Sequence, residues 1–531
     1  MTAPCPGKKG IFSLSVEDII HTGGLILYLA VVFLPAGALF CLSFLSYVQD
    51  PFYYLEYLIP DIRQFSLFFT SIFLSFAVSA GTMATGFFAA VFLWRTKIKI
   101  LANLKWLIFI LIPVPPYVYA LSCSSAAGVA GVSFTGWTAV YFVYLISFLP
   151  FSILICLLGL ASVKSDFIDA GRIFSPDGEV FSKIIAGLSK PFLIAGGIII
   201  FLLCLMDYSV PSLYSRSVYP LEIFAEYSSS GDTSGAFLMA LPLVFISVLL
   251  VLTAVRYIKE ISWEFSKNPD HSINQLKFPG YVNYIKITAF LIAFAGVFVL
   301  FITLISETGS AGLFFSSVTN AMDNIRTTIV ICLISSVVCI PAALAVSKEL
   351  IKNHKYSNLW WILVLFPLVL PPPLTGMGLI SLWNGFMPFV LHGTLIVPVF
   401  ALLSRFTSFA VIILFVFSKS GDTLLIDAAQ IFSRGYLDSL KGIILPLLMP
   451  GIAGASALFF ALGLGELGAT LIVMPPGEAT LTMRIYNYLH YGGSETVAGL
   501  CLFMTLLTAA AGLIVLIAIK RDNHSERYAD D

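Results

Sequence analysis

Runs of about 20 predominantly apolar residues recur along the whole chain, each long enough to cross a hydrocarbon core of ~30 Å. At that depth there is no water, so each run must satisfy its backbone hydrogen bonds within itself, and a helix does this. Composition excludes a water-soluble domain: 59% of the 531 residues are hydrophobic and 11% are charged, against about 25% charged in soluble domains. Mean hydropathy is +0.96. The predicted fold class is an all-α polytopic membrane protein with about 12 transmembrane helices. Six spans fall near 24–47, 66–94, 104–123, 137–161, 192–209 and 236–257. Six more fall near 282–305, 326–347, 359–383, 393–417, 447–474 and 497–519.

The formal net charge is +0, so bulk charge points to no nucleic-acid partner; the distribution of charge along the loops carries the information. Arg95, Lys97, Lys99 and Lys105 crowd one loop, Arg256, Lys259, Lys267 and Lys277 another, and Lys348, Lys352 and Lys355 a third. The loops between them hold little basic charge beyond Arg63, Arg216, Arg326 and Arg484, and two of them carry the acids Asp50, Glu56, Asp61, Glu222, Glu226 and Asp232. The positive-inside rule then places both termini of this multi-pass protein in the cytosol, and a bacterial plasma membrane is the expected location. Lys8 and Lys9 precede no cleavable signal pattern, so the first apolar run is read as a retained span.

Catalytic patterns are missing. There is no phosphate-binding G-x4-GK[ST] loop, no H-E-x-x-H and no G-x-S-x-G, and the six His are dispersed. The eight Cys stand singly, mostly in apolar runs, and read as small buried hydrophobes. The chain is therefore not expected to be an enzyme: no catalytic residue and no cofactor of its own are predicted, and no metal ligand can be named. Any energy for uphill transport must come from elsewhere.

The two halves resemble each other. Ile168-Asp169-Ala170-Gly171-Arg172-Ile173-Phe174-Ser175 corresponds to Ile426-Asp427-Ala428-Ala429-Gln430-Ile431-Phe432-Ser433, and Pro191 to Pro446. A Pro-rich run also repeats, with Pro115-Pro116 in one half and Pro371-Pro372 in the other, and a single acid, Asp207 or Glu466, follows each motif at the end of an apolar run. An even number of spans per half gives both the same orientation, related by a pseudo-two-fold axis along the membrane normal. The expected organisation is a first repeat at 1–258, with a surface helix near 165–177, a cytosolic linker at 259–279, and a second repeat at 280–531, with a surface helix near 423–435. In the second helix Leu424, Ala428, Ile431 and Phe432 form one apolar stripe, Asp422 or Thr423 can cap its start, and Gly435 can end it.

The second motif, running on to Ile443-Ile444-Leu445-Pro446, is similar to the EAA-x3-G-x9-I-x-L-P signature of ABC-importer permeases, with Asp for Glu and Ser for Gly. Over nearly its whole length the chain resembles a fused, two-in-one permease of a binding-protein-dependent ABC importer. It looks most like the iron(III)-type permeases through Gly465 to Ile472, Pro475 to Glu478, Thr480-Leu481, Arg484 to Asn487 and His490 to Gly492, and through Val218 to Phe224 in the first half. Thiamine, phosphonate, sulfate and polyamine permeases share that architecture.

The resemblance implies a type I importer fold and import of a small solute, iron(III) first, by alternating access. It also implies two ABC ATPase subunits using ATP-Mg on the cytosolic side, a solute-binding protein outside, and ATPase coupling through Asp169, Ala170, Gly171, Ser175, Pro191, Asp427, Ala428, Ala429, Ser433 and Pro446. The first motif departs from the pattern, with Gly171 for the second Ala, Ser175 for Gly, and about three extra residues before Pro191. Glycine weakens a helix by roughly 1 kcal/mol relative to Ala.

Asp207, Glu466 and the double-Pro steps at Pro115, Pro116, Pro371 and Pro372 are the candidates for a translocation pathway. Ionisable groups in a span are functional by default, and broken backbone at membrane depth lines protein or a cavity; solvated caps and plain kinks are the competing readings. A secondary transporter driven by an ion gradient is the alternative function. It would want paired intramembrane acids and bases, and Arg405 is the only basic residue well inside a span region. A membrane-embedded enzyme or channel would need a catalytic cluster or filter that the sequence does not display.

Overall fold

Ten uninterrupted helices among the described residues are long and apolar enough to cross a membrane. The computed structural model describes residues 16–94, 106–261, 280–352, 356–386, 393–420, 436–491 and 494–525. In the first half the helices are α1 (Val16–Gln49), α2 (Pro51–Leu58), α3 (Ile62–Leu93), α4 (Pro116–Val129), α5 (Gly136–Ala161), α6 (Ser165–Phe174), α7 (Ala186–Met206), α8 (Ser209–Leu213), α9 (Tyr219–Ser230) and α10 (Thr233–Glu260). The second half contributes α11 (Gly280–Thr308), α12 (Ala311–Asn320), α13 (Met322–Ile351), α14 (Ser357–Leu365), α15 (Pro372–Phe386), α16 (Ile396–Ser420), α17 (Leu445–Leu464), α18 (Thr470–Val473), α19 (Leu481–Tyr491) and α20 (Ser494–Ser525). The described residues form no strand, and the chain is an all-α polytopic membrane protein.

The faces of α3 show how this sequence packs in lipid. Phe65, Phe69, Phe73 and Phe76 form an exposed stripe, while Ser71, Ser75, Ser79, Thr82, Gly86, Ala89 and Ala90 are buried. Small residues inside let backbones approach, and hydroxyls bridge helices: Ser79 donates to the Gly197 carbonyl at 2.6 Å, and Ser152 of α5 donates to that of Thr82 at 3.0 Å. α13 is built alike, with Ser335, Ser336, Cys339, Ala342 and Ala343 inside and Leu333, Ile334 and Val337 outside. Its main partner is α16, as that of α3 is α5. α1 packs on α13 and α15, and α11 in turn packs on α3 and α4, so the first helix of each half lies against the other half.

Three expectations about spans change. The run at 359–383 is not one helix: it bends by 97° between Ser357–Leu368 and Pro372–Asn384. The run at 104–123 also breaks, with a turn at 111–114 between a helical stretch at 106–110 and α4. At both breaks the double proline starts a new helix. Pro115 and Pro371 accept the first hydrogen bonds, from Val118 and Leu374, and Pro116 and Pro372 take the first helical position, where a missing N–H costs nothing. The run at 447–474 ends early as a helix, at Leu464, where the backbone turns through Gly465 and Glu466. Of the Cys expected to be buried, Cys156, Cys204, Cys332, Cys339 and Cys501 are, whereas Cys41 is exposed on α1. Most of the 259–279 linker lies outside the described residues.

Candidate functional site

The broken helices and the early-ending ones meet. A cavity of about 250 Å³ lies between the halves, lined by Pro115, Pro116, Tyr117, Phe148 and Asp207 from one and by Pro367, Pro372, Arg405, Phe406, Gly465, Glu466 and Gly468 from the other. Of the six candidate pathway residues, five line it. Pro371 is buried behind the lining.

Each acid caps a short helix. The Glu466 carboxylate accepts the N–H groups of Ala469 (2.8 Å) and Thr470 (2.9 Å) at the start of α18. Asp207 accepts the N–H of Ser209 at 3.0 Å at the start of α8, and also the hydroxyls of Tyr144 and Ser209, both at 3.0 Å. Asp207 is half-buried, and the Glu466 side chain is 2% exposed.

Arg405, on α16, reaches the same cavity. Its Nε lies 3.8 Å from Glu466 Oε1, and its guanidinium carbon sits 5.5 Å from the ring centre of Phe406. Sequence reasoning noted this residue only as a lone base and left it out of the site. The available signal was its position: a single arginine deep in an apolar run is a candidate by default. The sequence showed few paired intramembrane acids and bases; among the described residues Arg405 pairs with Glu466, and Asp207 lines the same cavity.

At one end of the bundle, α6 carries the first motif between the α5 and α7 spans. Ile168 is buried, Asp169 and Ala170 are exposed, and Phe167, Ile173 and Phe174 are 55%, 77% and 87% exposed. Gly171 is where α6 meets the next span: a Cβ there would lie 2.4 Å from Ile184 Cδ1. Arg172 then ties α6 to the extra residues, with its Nε 3.0 Å from Asp177 Oδ1. Beyond them the chain enters α7 through a π-helical segment, Val180–Ile185, and in the second half α17 follows a similar one, Leu440–Ile444. Such segments absorb an extra residue within a continuous helix. Pro191 lies inside α7 and Pro446 in the first turn of α17. Asp427, Ala428, Ala429 and Ser433, with the stripe and caps predicted around them, lie outside the described residues.

No family model matches the chain. Over 184 residues, however, it is 31% identical to a Salmonella typhimurium protein that carries the name of a 2-aminoethylphosphonate transport system permease, PhnV. That stretch of the chain is homologous to a transport permease. The match covers 34% of this chain and 65% of the relative, and like-named proteins of Salmonella choleraesuis and Salmonella typhi match over the same length and shares at 31% and 30%. The chain thus spans just under two thirds of the length of these curated permeases.

Of the runs that carry the iron(III)-type resemblance, Tyr219, Glu222, Leu481 and Arg484 brace the fold. The N–H of Tyr219 is held by the Ser71 hydroxyl at 2.9 Å, and that of Leu481 by the Thr328 hydroxyl at 2.8 Å. Arg63 pairs with Glu222 at 2.9 Å, and Arg484 donates to Asn324 at 2.6 Å. Both sets tie a short helix to the start of the second long helix of its half, and neither lines the cavity.

Proposed function

We propose that this chain is the permease subunit of a binding-protein-dependent ABC importer, built as two fused repeats around the cavity at Asp207, Arg405 and Glu466. The observation that carries this is α6. A ten-residue helix between two spans, holding the first motif and presenting Phe167, Ile173 and Phe174 outward, has the form of a docking element. The permease homology supports the same reading, as does the recurrence of helix pairings in the two halves. In this proposal α6 and its counterpart near 423–435 face the cytosol and each receives one ATPase subunit. ATP-driven closure of the ATPases moves both motifs together, and the cavity opens to a loaded solute-binding protein on the other side. Asp169, Ala170, Gly171, Ser175 and Pro191, with Asp427, Ala428, Ala429, Ser433 and Pro446, transmit that motion.

For the cargo, the resemblance names iron(III), whereas the homologue's name carries an aminoethylphosphonate. The charged lining favours the second: Arg405 suits the oxyanion group of an aminoethylphosphonate, and Asp207 and Glu466 suit its cationic group. A gradient-driven secondary transporter is the second reading, favoured by the acid–base triad. Proteoliposomes holding the chain, co-expressed ATPases and a solute-binding protein decide among these. ATP-dependent uptake of 2-aminoethylphosphonate is the expected result. ATP-dependent uptake of iron(III) alone would restore the iron reading, and uptake that needs no ATPase and collapses with an ionophore would establish the second.

A further inference from the structure

We infer that Arg405 is a recognition site for the oxyanion group of a solute in the central cavity, a deepening of the function proposed above that rests on it. Three charged side chains reach the cavity: Asp207, Glu466 and Arg405. The acids are committed to the protein. Both oxygens of Glu466 accept backbone N–H groups, and both oxygens of Asp207 accept from Ser209, one of them also from Tyr144.

Arg405 is the reverse case. The 3.8 Å to Glu466 Oε1 is an ion-pair contact and too long for a hydrogen bond. Nε and Nη1 are both buried with no hydrogen-bond partner among the described residues. Buried charged donors without acceptors are costly, and folds rarely keep them without a use. Each of the two shares an edge of the planar guanidinium with Nη2, and such an edge at the wall of a cavity matches an oxyanion such as a phosphonate, phosphate or carboxylate. The flanking acids hold the guanidinium in place electrostatically. Because they leave the lining with two negative charges to one positive, they favour a solute that also bears a cationic centre.

The test uses the full chain purified in a maltoside detergent, with calorimetric titration of 2-aminoethylphosphonate, inorganic phosphate and ethanolamine. Saturable binding of 2-aminoethylphosphonate, weaker binding of phosphate and none of ethanolamine are expected, with R405Q lowering the affinity for 2-aminoethylphosphonate at least fivefold. R405K keeps the charge without the planar edge; it is expected to bind at least threefold more weakly than wild type and decides the matter if R405Q does not fold. The inference is overturned if wild type binds neither oxyanion, if R405Q stays within fivefold of wild type, or, where R405Q does not fold, if R405K stays within threefold. Stoichiometric displacement of the probe by phosphatidylglycerol would assign the site to a lipid headgroup and also overturn it. These readings need no ATPase. A chain that binds the probe but shows no ATP-dependent uptake refutes the importer function and leaves the anion site standing.

Discussion

Pro115 lies so close to Gly465 that a Cβ on the glycine would stand 2.4 Å from the proline Cγ. The contact joins the helix break of one half to the acid-bearing turn of the other, and Gly468 repeats it within the second half, where an added Cβ would stand 2.5 Å from Pro372 Cβ. The backbone at Gly465 has φ −89°, which any residue adopts, so closeness is what demands glycine here. Gly465→Ala is expected to lower stability by about 1–3 kcal/mol through overpacking. Pro115→Ala in the same chain should restore part of the loss, and thermal unfolding of the four proteins of that cycle in detergent measures the coupling.

Asp207 and Glu466 should answer differently to neutral amides. Asn at 207 keeps an oxygen for the Ser209 N–H, and the hydroxyls of Tyr144 and Ser209 can turn to accept from its amide. Gln at 466 has one oxygen for two fixed backbone N–H groups and sets its own donor against the other. Glu466→Gln is expected to cost about 1–3 kcal/mol, and Asp207→Asn less than half as much. Unfolding midpoints of the two variants give the comparison.

The outward residues of α6 should matter to a partner more than to the fold. Replacing Phe167, Ile173 and Phe174 with Ser removes apolar surface that is already exposed, so the melting temperature of the purified chain should stay within about 2 °C of wild type. Co-purification with the cognate ATPase should fall at least fivefold. Retention of the ATPase at the wild-type level would assign these side chains to the lipid interface.

The hydroxyl braces carry stability and not selectivity. Ser71→Ala leaves the buried N–H of Tyr219 unpaired, and Thr328→Val does the same to Leu481. Each should cost about 1–3 kcal/mol with no change in the affinity for an anionic probe, read by melting and by titration of the same samples.

Much of this could be read along the chain because lipid imposes strict local rules. The span from Gly136 to Ala161 was placed to within a residue, since a run of that length and apolarity has one way to satisfy its backbone. The double prolines marked the broken segments for the same reason, though a linear reading did not show that they begin new helices. At Gly171 the sequence showed one side of the matter only. Its cost in helix propensity is local, and its benefit, room for Ile184, belongs to a neighbour thirteen residues on.

Where the apolar runs lie and where helices must break were set by residue order, because backbone hydrogen bonding in lipid is a problem each segment solves alone. That Asp207, Arg405 and Glu466 share one cavity was decided only by tertiary structure. Arg405 lies on α16 and the two acids at the ends of other helices, far apart in sequence, so helix packing brings them together, and on that local periodicity is silent.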